Sequence, residues 1–440
     1  MSLTRDSKGK LLLGGVLLEE VALRHGTPSY VYDLDGIAEK ARDLDAAFEG
    51  TAHLVAYAVK ANTAGAVVRV LAREGCGADV VSGAELRVAV ACGVVPERIV
   101  YSGVAKSDDE LDQAILTGPL GIRAIQVESV EEIGRIEARA RALSRRARVA
   151  VRINPSVDAS GVPHKNIATG HDEAKFGVPL EDVERAVKAV EKSPHLELLG
   201  MAVHAGSQFK HVAPYVKAAR VLFDEVKELR EAGRLKGLQY VDAGGGFGVD
   251  YGEGPAVPPS EFVRATRVEL KARKLDDLAL YVEPGRALVA SSGVLLAKVI
   301  QHKVATAERW VMIDAGMNDL MRPALYQARH RVVPLDKAST EVESFAWHVV
   351  GPVCESSDDF GEHLLPKVPP TQVAILDAGA YGFTMSSRYN GRQLPVEVFL
   401  QNGKIAGATE RPSIDAWAHE RAKAGEPVKL NKTVPMAKKA

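Results

Sequence analysis

The chain has 440 residues, 46% hydrophobic and 26% charged, enough apolar material for more than one core. Lys and Arg number 56 against 57 Asp and Glu, a formal net charge of -1, and no long basic block occurs, so neither a nucleic-acid nor a membrane partner is expected. Cys76, Cys92 and Cys354 lie far apart without a CxxC pair, which argues against a disulfide framework or a thiolate zinc site and suits a reducing cytoplasm.

In chain order, Lys8 and Lys10 precede the apolar stretch 11–18, but Glu19 and Glu20 follow at once and no small-residue cleavage site appears. A secretory leader is not expected. Short β-branched runs then predict strands at 53–58, 78–81, 98–101, 123–127, 148–153, 199–204, 239–242 and 280–283. Helical period fills the intervals at 65–73, 84–91, 108–116, 130–143, 180–191, 212–231 and 261–272. Eight such units predict a (β/α)8 barrel of the TIM type over 36–285, with an open doubly wound sheet as the alternative that period alone leaves standing. Beyond Glu283 the strands 294–300, 310–313, 345–350, 372–376 and 396–400 are joined by turns. They predict a C-terminal mostly-β domain, a β-barrel or sandwich, over 286–428. Residues 1–35, including 29–32, are expected to join that domain, and 429–440 to form a solvated tail.

Catalytic groups of a barrel belong where its strands end. Strand one leads into Lys60, strand two holds Asp79, strand five Arg152, strand six His204, strand seven Gly244-Gly245-Gly246, and strand eight Glu283 with Arg286 beyond. Lys60 directly follows an apolar strand, where burial should depress its pKa and yield an amine able to attack a carbonyl. The run Gly244-Gly245-Gly246-Phe247-Gly248 lets backbone amides approach an anion, and loops after strands seven and eight often bind phosphate. A reactive lysine beside a phosphate turn points to pyridoxal 5'-phosphate. Glu283 could then keep the ring nitrogen protonated, the alternative being an ion pair with Arg286, and His204 could stack on the ring. The histidines show no HExxH-like spacing, so no metal is expected. In the β domain, Cys354 beside Glu355 offers a thiol whose proton can be exchanged near neutrality. Arg322 and Tyr326 can bind a carboxylate, and Tyr381 is either packed or a cofactor contact.

The ordered set 57–62, 154–155, 164–170, 175–177, 204–208, 244–248, 283–286, 314–326, 354–358 and 379–381 resembles the fold-type III pyridoxal-phosphate decarboxylases, and within them the diaminopimelate branch. The resemblance covers nearly the whole chain. It implies a head-to-tail homodimer with shared active sites that decarboxylates meso-2,6-diaminopimelate to L-lysine. By matching motif, Lys60 carries the cofactor, His204 stacks on it, and Glu283 faces the pyridine nitrogen. Ser207, Gly245 and Gly246 meet the phosphate, Asp79 and Arg152 stand behind, and Tyr381 lies nearby. Arg286, Arg322 and Tyr326 hold the distal carboxylate, Glu355 faces the distal amine, and Cys354 comes from the neighbouring subunit as the acid. Ornithine, arginine and lysine decarboxylases, which must accommodate a distal cation, are the alternative on this fold, together with a silent regulatory homologue. Alanine racemases generally carry arginine where Glu283 stands.

Overall fold

The computed structural model describes residues 3–157, 174–306, 308–336 and 343–425. The motif residues 164–170 and the expected tail 429–440 lie outside them. Eight parallel strands close into a barrel: β1 (His53–Ala58), β2 (Gly77–Val80), β3 (Ile99–Tyr101), β4 (Ala124–Val127), β5 (Ala147–Ile153), β6 (Leu196–Val203), β7 (Tyr240–Asp242) and β8 (Ala279–Val282). The order is sequential, and β8 pairs with β1 at Leu280 and His53, which excludes the open sheet. These strands are apolar on both faces because helices cover the outside while their own side chains fill the inside. Leu54, Ala56, Val100, Ala150, Leu199, Tyr240 and Tyr281 belong to the inner cluster. The stacked rings of Tyr240 and Tyr281, 4.0 Å apart, fit because Gly200 faces them; a Cβ there would lie 2.2 Å from the Tyr240 ring.

Local chemistry sets the outer helices. Ser107 and Glu110 form a capping box that starts the helix Asp108–Leu116, and Ser129 caps Val130–Ala142. Only a four-residue helix, Arg286–Val289, follows β8. The helix Leu34–Ala46, capped by Asp33, packs against Gly65–Arg73 and Pro259–Ala272 and fills the open place in the ring.

The second domain is built on a nine-stranded sheet. Its central strand Ser29–Asp33, buried throughout, lies antiparallel to Gly293–Val304 and parallel to Val396–Gln401. The apolar segment near the N-terminus packs here too: Leu11, Leu13, Val16 and Leu18 are buried with Val31, Leu296 and Leu376. Strands Asp359–Pro366 and Lys404–Ala408 had no clear signal, since the first mixes polar and apolar residues and the second is an exposed edge. Among the described residues no helix is long and apolar enough to cross a membrane.

Candidate active site at the barrel mouth

A cavity of about 290 Å³ opens at the C-terminal ends of the strands, between barrel residues and residues that follow Gly285. Lys60, His204, Ser207, Gly246 and Glu283 line it from the barrel side, and Arg286, Arg322, Tyr326 and Tyr381 line the other. A larger cavity of about 400 Å³ lies on the flank, walled by Lys40, Val249, Pro259, Ala287 and Asp377; it contains none of these strand-end groups.

Lys60 sits in the single turn Val59–Ala61 after β1, and its Nζ donates to Asp79 Oδ2 at 2.5 Å. The expected depression of its pKa is not found. Burial does favour the neutral amine, but Asp79, Tyr381 and Glu283 outweigh it and the net shift is upward. Free Lys60 is therefore an ammonium, and its proton must leave before it can form a bond to carbon. Asp79 is fully buried, and its Oδ1 has no hydrogen-bond partner among the described residues.

Glu283 immediately follows β8. Burial, Asp242 and Asp79 together raise its pKa well above the ordinary carboxylate range. Its Oε1 accepts from Gln126 Nε2 at 2.8 Å, and the same amide lies 3.5 Å from Asp242 Oδ2. Asp242, at the end of β7, is pushed up to about 7, chiefly by burial, against the amide of Gly244 that donates to it at 2.9 Å. The alternative ion pair between Glu283 and Arg286 does not form among the described residues. Gln126 and Asp242 were missed in the sequence although both lie at strand ends, where the same positional rule would have flagged them.

His204 accepts the Gly245 amide on Nδ1 at 3.1 Å, and burial beside Arg152 and Lys60 keeps the ring neutral. Gly245 has no room for a side chain: a Cβ would fall 1.9 Å from the Glu283 carbonyl oxygen. Gly246 has φ of +103° and would meet the Gly206 carbonyl at 2.2 Å, so the turn needs glycine for backbone packing as well as for ligand access. Arg152 lies behind His204, ion-paired to Glu128 at 2.8 Å; Glu128 in turn accepts the Gly103 and Gly177 amides at 2.9 and 2.8 Å.

The other wall is cationic. Arg286 donates to Tyr251 Oη at 2.6 Å and Ser207 Oγ at 3.2 Å. Arg322 donates to His330 Nε2 at 2.6 Å. Both arginines are buried, and neither is ion-paired among the described residues. Tyr381, with φ of +54°, is held by its amide to the Ala61 carbonyl at 2.8 Å, and its ring centroid lies 5.0 Å from the Arg286 guanidinium. A non-glycine residue in the left-handed region at a cavity wall is the kind of strained position that functional sites retain.

Cys354 and Glu355 are not brought to this cavity. Cys354 is exposed, its amide bound to Asn390 Oδ1 at 2.8 Å, and Glu355 accepts from the Tyr389 hydroxyl. Their loop is pinned by Asp358, which accepts the Val353 and Met317 amides, each at 2.6 Å. Cys76 is buried, its thiol pushed up to about 12 by burial, as suits a packing residue.

A family model described as pyridoxal-dependent decarboxylase, pyridoxal binding domain, matches residues 34–290. A diaminopimelate decarboxylase of Zymomonas mobilis is 40% identical over 413 residues, covering 92% of this chain and 95% of that one. The chain belongs to the diaminopimelate decarboxylase family of pyridoxal-dependent decarboxylases. Solved structures agree: the Helicobacter pylori diaminopimelate decarboxylase complexed with L-lysine superposes with a TM-score of 0.83 at 36% identity, over 92% of this chain and 99% of that one. The M. jannaschii enzyme in complex with L-lysine gives 0.86 at 34%, over 95% and 97%. Pyridoxal phosphate is the cofactor of this family, and the residues present fit it: an amine on the cavity wall, a buried carboxyl whose pKa is raised, an Asp79 oxygen unpartnered among the described residues, and a turn closed to any side chain.

Proposed function

We propose that this protein decarboxylates meso-2,6-diaminopimelate to L-lysine and carbon dioxide, with Lys60 as the attachment point of pyridoxal phosphate. The observation that carries the reading is the buried pair Arg286 and Arg322, without carboxylate partners among the described residues, on the same cavity as Lys60. Two desolvated guanidiniums favour an anion strongly, and a substrate with a second carboxylate supplies one. A distal ammonium, as in ornithine or lysine as substrate, would meet repulsion there.

When bound, pyridoxal phosphate supplies an aldehyde that condenses with amines and a ring that accepts the electron pair left as carbon dioxide departs. Lys60 gives up its proton before bonding, and Asp79, 2.5 Å away, is the nearest acceptor. His204 would offer a neutral flat face, Glu283 a carboxyl of raised pKa for the pyridine nitrogen, and Ser207 with Gly245 and Gly246 would hold the phosphate end. Asp79 and Arg152 support from behind, and Tyr381 closes the side. Arg286, Arg322 and Tyr326 orient the distal carboxylate, so that the amino-acid centre presented to Lys60 and the cofactor, and not the distal centre held by the arginines, loses carbon dioxide. Product formation then needs a proton at that same carbon, and we assign it to Cys354, with Glu355 facing the distal amine.

That last assignment requires a second copy of the chain, because the Cys354 loop is exposed and apart from its own cavity. A head-to-tail homodimer with shared sites meets the requirement. Mixing inactive Lys60→Ala and Cys354→Ala proteins under subunit exchange should restore about a quarter of wild-type activity, since half the dimers then hold one intact site of two. No recovery in exchanged dimers would rule out sharing. The near-balanced charge and free thiols support a cytoplasmic location. The function itself is tested by carbon dioxide release from meso-diaminopimelate, L-ornithine, L-arginine and L-lysine; preference for a simple cationic amino acid would sink it.

A further inference from the structure

Arginine cannot shed its charge on burial, so a buried guanidinium has to find acceptors. The chain supplies Arg286 and Arg322 with neutral ones. Tyr251, on the loop after β7, lies between them: its hydroxyl accepts from Arg286 at 2.6 Å, while the Arg322 guanidinium stacks 4.4 Å from its ring centroid. His330 donates from Nδ1 to the Leu376 carbonyl at 2.8 Å, which leaves Nε2 as the acceptor for Arg322 at 2.6 Å. Its ring stands edge-on to Tyr251, the centroids 4.9 Å apart. Tyr251 and His330 are both buried, and neither lines the cavity. Burial beside Arg322 holds His330 down to about 3, so it stays neutral across any working pH. The Tyr251 loop is itself fixed, because Gln208 donates to the Val249 carbonyl at 2.6 Å and accepts its amide at 3.2 Å.

We propose that Tyr251 and His330 are positioning residues that aim Arg286 and Arg322 at the substrate's distal carboxylate and thereby set the preference for substrates that carry one. The inference rests on the distal-carboxylate reading given above. A carboxylate in either place would hold an arginine equally well but neutralise it. Neutral acceptors fix the geometry and leave the positive charge for the ligand.

L-Lysine and 1,5-diaminopentane differ only by the carboxylate, so inhibition of the holoenzyme by each reads this clamp directly. Tyr251→Phe and His330→Leu should weaken inhibition by L-lysine about 10-fold or more and raise KM for meso-diaminopimelate similarly. Inhibition by 1,5-diaminopentane and the visible absorption of the bound cofactor should not change. His330→Gln, which restores an acceptor, should recover much of the loss. Equal weakening of both inhibitors, or none of L-lysine, would overturn the inference. If His330→Leu does not fold, Tyr251→Phe, which removes a single oxygen, reads the same ratio. A wild-type enzyme that binds the two compounds equally would overturn the distal-carboxylate reading itself, and this inference with it.

Discussion

At the barrel end of the cavity three buried carboxylates, Asp79, Asp242 and Glu283, crowd near one lysine, whereas at the β-domain end two buried arginines are met, among the described residues, by neutral acceptors. The carboxylates can relieve their repulsion by taking up protons, and Asp242 and Glu283 are raised accordingly. Arginines have no such escape. The first end is thus self-compensating and keeps a proton in place for chemistry; the second keeps an unspent positive charge. On the proposed reading, one cavity would thereby distinguish the two ends of a long zwitterionic molecule by the titration behaviour of its walls.

The most damaging change to the carboxylate end is Lys60→Ala, which removes its cation and the proposed attachment point together. Carbon dioxide release should fall by at least about 10³-fold, and the visible absorption of bound cofactor should vanish. Undiminished turnover would refute the assignment. At the other end, Arg322→Met should lower kcat/KM for meso-diaminopimelate about 10²- to 10³-fold without changing that absorption. Because the substitution also removes a buried charge that has no ion-pair partner among the described residues, the thermal midpoint should not fall; a large drop would mean that Arg322 is chiefly structural.

A smaller effect separates the two ends by pH. Asp242 titrates near 3.8 when unperturbed and at about 7 when folded, so the native state keeps a proton that the unfolded chain releases. Stability of the cofactor-free protein should therefore fall as pH rises from about 4 to about 7, and Asp242→Asn should flatten that slope. Denaturant melts across the range decide it, an unchanged slope counting against the carboxylate cluster. Smallest of all, Glu128→Gln should leave the arginine end untouched and lower activity only a few-fold through Arg152, whose partner it is. If L-lysine inhibition shifted as well, the two ends would be coupled through the barrel.

Most of the barrel was legible because its signals are local: apolar runs, helical period, and the rule that functional groups follow strands. Lys60, His204, Glu283 and Arg286 were singled out by that rule, and all four line the cavity. Gln126 and Asp242 obey it too but were not singled out. Tyr251 and His330 gave no signal, since each acts only through an arginine brought to it from elsewhere in the chain. Arg322, Tyr326 and Tyr381 were found by composition and resemblance, and only packing of the β domain put them opposite Lys60.

By itself the sequence determined the eight alternating units, the change of texture after Glu283 and the residue types at the strand ends, because these depend on periods of two and 3.6 residues and on short spacings. Tertiary structure decided what depends on distance through space. It closed β8 onto β1, placed Ser29–Asp33 between two strands from the far end of the chain, and left the Cys354 loop apart from its own cavity. It also reversed the expected shift of Lys60, because the fields of Asp79, Tyr381 and Glu283 outweigh burial only once folding has brought them together.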